Sequence, residues 1–412
     1  MLTESFARGP AEPAVRELTI GDALREAAAD SPQQTALIAG TPDPANRQSW
    51  TFAQLLDEAE RTAKALLESF EPGDRVAVWA PNIPQWVIME YGCALAGVVL
   101  VTVNPSYQAD ELAYVLRQSK AAGIFMVSEF RGNAMLAHLE AVRGQCPELK
   151  KVVLFSQWQA FLDTAADKPL PRVLPGDACM IQYTSGTTGF PKGALLHHRG
   201  LVNNGAHSQA IMGAAPNLTY MGIMPLFHTG GCVLAVLGAL AQRSALVLVE
   251  AFDPGLVLEL MEEYRAAGMM GVPTMLIAMI QHPTFPERDL SSIKALCSGG
   301  STVPAELVRR LEDTLGAPFT IVFGQTECSP VACMTRPDDS IEDKAYSLGR
   351  PMPGVEVKII DPETGKTQPV EVLGEFCTRG YHVMHEYFEN PEATAKTIDA
   401  EGWLHTGDLC SM

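Results

Sequence analysis

The chain has 412 residues with 30 basic and 48 acidic side chains, a formal net charge of −18. Apolar residues make up 47% of it and charged residues 19%, which supports large cores in two or three structural units and excludes a disordered chain. The acidic balance disfavours a nucleic-acid partner, and no apolar stretch approaches the ~20 residues a membrane helix needs.

The opening MLTESFARGPAEP lacks the basic end and apolar run of a secretory signal, and nine scattered cysteines without a CxxC pair indicate neither a disulfide frame nor a zinc ribbon. A cytoplasmic setting is expected. Thr51 and Gln54 fit a capping box, and Phe52, Leu55, Leu56, Ala59, Ala63, Leu66, Leu67 and Phe70 follow at helical spacing. Glu71-Pro72-Gly73-Asp74 stops that helix, and RVAVWA at 75–80 reads as a buried strand. A helix at 84–96, a strand at 98–103, a helix at 110–119 and strands at 123–127 and 152–155 continue the pattern. Strand and helix in strict turn predict a largely parallel, doubly wound sheet. A second block repeats the style, with strands at 219–224, 245–249, 269–272, 293–297 and 319–323 and helices at 254–267 and 304–314. From 347 the texture changes. Val355, Val357 and Ile359 alternate, DPETGK turns at 361–366, and 374–379 alternates again, predicting a small antiparallel barrel or half-barrel. Glycine and proline clusters near 169–176 and 351–354 mark the expected junctions.

The strongest chemical signal is YTSGTTGFPKGA at 183–194. Glycines let backbone N–H groups approach an anion, hydroxyls donate to its oxygens and Lys192 adds a point charge, as a polyphosphate cradle requires. A polar surface turn would explain the hydroxyls but not the lysine. Pro191 and Gly193 around Lys192 disfavour a Walker A loop, and therefore a P-loop ATPase or kinase, and the apolar run after it implies a loop between two strands.

At these residues the sequence resembles the adenylate-forming superfamily of acyl-CoA synthetases, luciferase and peptide-synthetase adenylation domains. MPLFHTGG at 224–231, SGGST at 298–302, FGQTE at 323–327 and GWLHTGD at 402–408 follow in that family's order. The implied fold is α/β, with two doubly wound sheet subdomains (56–210; 14–55 with 211–345) and a small β-barrel-like subdomain at 346–412. The chain stops after the ribose segment, where relatives continue into a small C-terminal lid domain, so it reads as a large N-terminal domain alone.

The resemblance implies that Thr184, Ser185, Gly186, Thr187, Thr188, Gly189 and Lys192 hold the β,γ-phosphates of ATP. Gly299, Gly300, Ser301, Phe323, Gly324 and Gln325 would contact adenine, Thr326 the α-phosphate, Glu327 a Mg²⁺ ion, and Asp408 the ribose. His228, Thr229, Gly230, Gly231, Gly271, Val272 and Met275 would line the acyl pocket, with His228 beside the reacting carboxylate. Lys192, Thr326, Glu327 and His228 carry the expected catalysis. The absence of a carboxylate at Phe227-His228 disfavours an amino-acid substrate. The implied activity is ATP-dependent formation of an acyl-adenylate from an apolar acid, then of a thioester with CoA. Transfer to a carrier-protein phosphopantetheine is the alternative within the class, and a nucleotide- or acyl-adenylate-binding module is the alternative outside it. Neighbouring His197 and His198 are expected at the surface or in a cap rather than on a metal. Met269, Met270, Met275 and Met279 read as core filler or an adaptable acyl wall.

Overall fold

The capping box at Thr51 forms in the computed structural model, which describes residues 4–184, 191–213 and 215–412. Thr51 Oγ1 accepts from the Gln54 N–H at 3.2 Å, and Gln54 Oε1 accepts from the Thr51 N–H at 2.9 Å. The helix Phe52–Leu66 follows, with Leu55, Ala59, Ala63 and Leu66 buried. Arg75–Trp79, Pro84–Ala96, Val99–Val103, Ala109–Gln118, Gly123–Met126 and Lys151–Leu154 then reproduce the expected alternation. In the second block the helix Pro254–Glu263 ends earlier than its apolar spacing implies, because Arg265 turns the chain at a positive φ of 49°.

Three sheets result. The first has seven strands, in the order 386–387, Lys192–His197, Ala178–Thr184, Val99–Val103, Arg75–Trp79, Gly123–Met126 and Lys151–Leu154. Its strands from Ala178–Thr184 onward run parallel, whereas Lys192–His197 returns antiparallel with Lys192 opposite Thr184. The phosphate-loop motif therefore joins two strands, as its apolar flank implies. The second sheet has nine strands. Six neighbours, Phe319–Gly324, Ala295–Gly299, Gly268–Met270, Thr219–Gly222, Ala245–Val249 and Thr35–Gly40, are parallel, with antiparallel strands at both margins.

The third sheet corrects the barrel expectation. Phe6–Arg8, Val355–Ile360, Gly374–Gly380 and Leu404–Cys410 form an open antiparallel sheet, with the first and last at its margins. Val355, Val357, Ile359, Phe376 and Leu404 pack into the same core as the two α/β units, so this sheet buries its apolar face against them rather than curling on itself.

The expectation of surface histidines also fails. His197 does cap the helix His198–Met212, its Nδ1 accepting from the Gly200 N–H at 3.0 Å, but both rings are buried. His198 Nδ1 accepts from the Ile20 N–H at 3.3 Å. Desolvation depresses both imidazoles to about 4 and that of His382 to about 3. Met269, Met270 and Met279 are core residues.

A base whose folded pKa is depressed contributes stability that is complete above its unfolded pKa near 6.5 and lost as pH falls toward the folded value, at roughly 1.4 kcal/mol for each pH unit that separates the two. The urea midpoint should fall steadily from pH 7 to pH 4. It should fall less steeply in His198→Asn; an equal slope in that variant would exclude His198 as a source.

Candidate active site

Four of the five chemical motifs follow the C-terminal end of a parallel strand, the edge where open α/β sheets bind ligands, whereas GWLHTGD runs into the antiparallel strand Leu404–Cys410. In the second sheet, the strands leading to residues 323–327, 299–301, 271–275 and 223–231 are successive neighbours, so the expected adenine and acyl segments lie side by side. The Gly271 N–H donates to Cys297 O at 3.1 Å, stitching two of these segments together. Gly300 turns the chain at φ +76°. A Cβ on Gly231 would sit 2.2 Å from Pro225 O, so the tight return after His228 requires glycine there. A separate cavity of about 270 Å³, lined by Arg75, Gly97, Asp177 and Phe388 among others, opens at the opposite strand ends and holds none of the motifs.

Asn82 fastens the two parallel sheets together at that edge. It is 7% exposed, just beyond the strand Arg75–Trp79. Its Nδ2 donates to Met224 O and Val249 O at 3.0 and 3.1 Å, and its Oδ1 accepts from the Leu226 N–H at 2.9 Å. Sequence reasoning missed it, since an Asn after Ala-Pro reads as a turn residue.

Glu327 is buried in the short helical turn Thr326–Cys328, and its Oε1 accepts from Tyr387 Oη at 2.6 Å. Lys192 Nζ lies over the same tyrosine ring, 4.1 Å from its centroid. Tyr387 reaches this place because residues 386–387 pair with Lys192–His197, and the Phe388 N–H donates to Gly193 O at 2.8 Å. Burial and the Glu327 charge raise its phenol pKa, so it stays a donor. The structure thus brings Lys192 and Glu327 together through a residue that sequence reasoning missed. The available signal was the aromatic pair Tyr387-Phe388 set among charged and polar residues in HEYFEN.

His228 is exposed by area yet surrounded by enough protein for desolvation to lower its pKa, as on the wall of a cleft. Its Nδ1 accepts from the Gly230 N–H at 3.1 Å, so a neutral ring carries its proton on Nε2. Thr229 and Ser298 each bury a hydroxyl without a partner among the described residues, an arrangement that suits a ligand. Phe323 is half-buried and packs edge-on against Phe376, 5.2 Å between centroids. Thr326 is buried, Gln325, Val272 and Met275 are half-buried, and Gly300, Ser301 and Gly324 are exposed. Asp408 is exposed on the strand Leu404–Cys410, although partial desolvation raises its carboxyl pKa. Thr184 lies at the mouth of the loop, whereas Ser185, Gly186, Thr187, Thr188 and Gly189 lie outside the described residues.

The family described as AMP-binding enzyme matches residues 24–388. The chain belongs to the AMP-binding enzyme family. Its relatives within that family are named acyl-CoA synthetase and acyl-CoA ligase, and that resemblance places it among the AMP-forming acid–thiol ligases. It is 37% identical to YngI of Bacillus subtilis (strain 168), provisionally named an acyl-CoA synthetase, with 96% of this chain and 76% of that one covered. It is 33% identical to the mitochondrial medium-chain acyl-CoA ligase ACSF2 of Rattus norvegicus, with 99% and 71% covered. The inhibitor-bound N-terminal domain of FACL13 from Mycobacterium tuberculosis superposes with a TM-score of 0.86 at 26% identity, over 96% of this chain and 97% of that one. The family match includes Lys192, His228, Glu327 and Tyr387 and ends before Asp408.

Tyr387→Phe removes a hydrogen bond to a buried charge, worth about 1.5–3 kcal/mol. In this ligase, pyrophosphate exchange should show a raised KM for Mg-ATP and an unchanged KM for the acid. Equal changes in both would mean that Tyr387 only supports the fold.

Proposed function

We propose that this ligase activates an apolar, fatty carboxylic acid with ATP and Mg²⁺ and passes the acyl group to CoA. The observation that carries the reading is the convergence of Lys192, Glu327 and the His228 segment on one edge, where two anions can be held together. A carboxylate oxygen of the acid attacks the α-phosphorus of ATP, forming the acyl–phosphate bond and expelling pyrophosphate. The sulfur of the CoA thiolate then attacks the acyl carbon, and AMP leaves with the bonding electrons. Both steps depend chiefly on positioning and charge neutralisation.

Lys192 supplies a positive charge for the β,γ-phosphates beside the loop 184–189. Glu327, a buried carboxylate with Tyr387 as its hydrogen-bond donor, has the hard oxygen chemistry Mg²⁺ prefers and would hold that ion. Bound there, Mg²⁺ would offset phosphate charge. Thr326 is assigned to the α-phosphate, where charge develops, and residues 299–301 and 323–325 to adenine. Desolvation by the surrounding protein disfavours charge on His228, which offers Nε2–H to the reacting carboxylate without a full charge that would hold it back. Gly230, Gly231, Gly271, Val272, Thr229 and Met275 offer a mostly apolar wall with no charged group, which suits a hydrocarbon chain. The names of the relatives favour CoA over a carrier protein as acceptor. The cleft is assigned to the meeting of the 56–210 unit with the 14–55 and 211–345 unit.

An acid panel in ATP–pyrophosphate exchange tests the substrate class. Medium-length fatty acids should support exchange and amino acids should not; the reverse order would overturn the reading. Lys192→Ala should weaken ATP binding more than acyl-adenylate binding, because the adenylate keeps only the α-phosphate, and calorimetry with both ligands checks this. If Asp408 grips the ribose, Asp408→Ala should weaken ATP and AMP alike by about 1.5–3 kcal/mol. Binding of 2′,3′-dideoxy-ATP should then be the same in wild type and variant.

A further inference from the structure

On the four-stranded sheet, the pairing of Cys377 with His405 across Gly374–Gly380 and Leu404–Cys410 gathers three different ligand types. Cys377 Sγ lies 3.6 Å from His405 Nδ1, Glu375 Oε2 lies 3.0 Å from the same nitrogen, and the three ligand atoms fall within 4.8 Å of one another. We propose that Glu375, Cys377 and His405 form a zinc site, binding Zn²⁺ through a carboxylate oxygen, a thiolate and a neutral imidazole with a fourth position open to solvent.

The donor set selects the metal. Sulfur and imidazole nitrogen suit a borderline-soft ion, whereas Mg²⁺ and Ca²⁺ take oxygen. Bonds of ~2.0–2.3 Å place tetrahedral ligands roughly 3.3–3.8 Å apart, so the sulfur–nitrogen spacing already fits, and the oxygen, 3.0 Å from that nitrogen and within 4.8 Å of the sulfur, must adjust through the Glu375 side chain. The surroundings orient each ligand. His405 Nε2 faces Asp399 Oδ2 at 3.5 Å, and a carboxylate there fixes the tautomer that frees Nδ1 for a metal. Asp399 is itself anchored, its Oδ1 accepting the N–H groups of Glu401 and Trp403 at 2.9 Å. Glu375 Oε1 accepts from the Gly407 N–H at 3.0 Å, leaving Oε2 to the cluster. Cys377 is buried with Ile360, Trp403 and Phe6 behind it, while the His405 and Glu375 side chains retain 26% and 17% of their exposure and leave an entry path.

Charge balances as well. Once zinc has displaced the thiol proton, the thiolate and the carboxylates of Glu375 and Asp399 sum to −3, against +2 for zinc and +1 for Lys358, whose ammonium sits over the Trp403 ring at 4.2 Å; Arg379, over the same ring at 4.5 Å, is paired with Glu356 and adds no net charge. Binding forms the Zn–S bond and releases the thiol proton to water, with no redox change. The ion would clamp the last two strands at a point just before Asp408. The competing arrangement is metal-free, with His405 bridging Glu375 and Asp399.

The test uses the whole chain, stripped with chelator and titrated with Co²⁺. A thiolate-to-cobalt charge-transfer band should grow to one equivalent, resist Mg²⁺ and vanish on adding Zn²⁺. Cys377→Ser and His405→Gln should abolish it, Cys146→Ser should leave it intact, and Asp399→Asn, which keeps all three ligands, should weaken cobalt binding about 10–100-fold. Thermal melts of each variant check folding, and Zn²⁺ should raise the melting temperature only where the band is present. No band, or a band that survives in Cys377→Ser, would overturn the site in favour of the bridged histidine. The outcome does not depend on which acid the ligase activates.

Discussion

The hydrogen bond from Tyr387 to Glu327 ties all three sheets to one point. Glu327 stands at the end of a strand of the nine-stranded sheet, Tyr387 pairs with a strand of the seven-stranded sheet, and the segment bearing Tyr387 has just left the four-stranded one. A buried carboxylate is costly without a donor, so the fold is under pressure to deliver one there. The delivery also brings Lys192 onto the ring of that donor. Lys192 and Glu327 are thereby held apart by an aromatic ring rather than collapsed into an ion pair, which leaves the ammonium and the carboxylate each free to meet another group.

The same edge is shaped by strand direction. Parallel strands release their connections at one end, and each connection there carries a short polar or glycine-rich motif. Asn82 makes three hydrogen bonds that hold the end of one sheet's strand against strand ends of the other. Gly231 and Gly300 allow the backbone to turn sharply where side chains would obstruct it.

Electrostatics follows burial. With a formal charge of −18, the chain offers an anionic substrate little long-range attraction, so local donors must do the recruiting. Inside, several titratable groups that lack a charged partner are held neutral. His197, His198 and His382 are held neutral by desolvation, and Glu90, whose two carboxyl oxygens have no partner among the described residues, is pushed well above the usual carboxylate range. Desolvation lowers the pKa of His228 in the same direction.

Much of this was legible in the residues themselves. Period-2 and period-3.6 patterns with capping and stop signals located many helices and strands of both α/β units, because those signals are local, but not the helices Ile20–Asp30 and His198–Met212 or the strand Thr35–Gly40. The hydroxyl-, glycine- and lysine-rich loop and the order of four further motifs pointed to the family on their own, because backbone approach to phosphate restricts residue type over a few positions. Other features depended on which strands meet. Alternation in 355–359 and 374–379 specified an antiparallel sheet but not whether it closes, since closure depends on which core its apolar face meets. Tyr387, Asn82 and the Glu375–Cys377–His405 cluster were invisible because their partners lie 60, 142 to 167, and 28 to 30 residues away in the chain. Only folding brings such residues within hydrogen-bonding range, and that proximity is what decided the site.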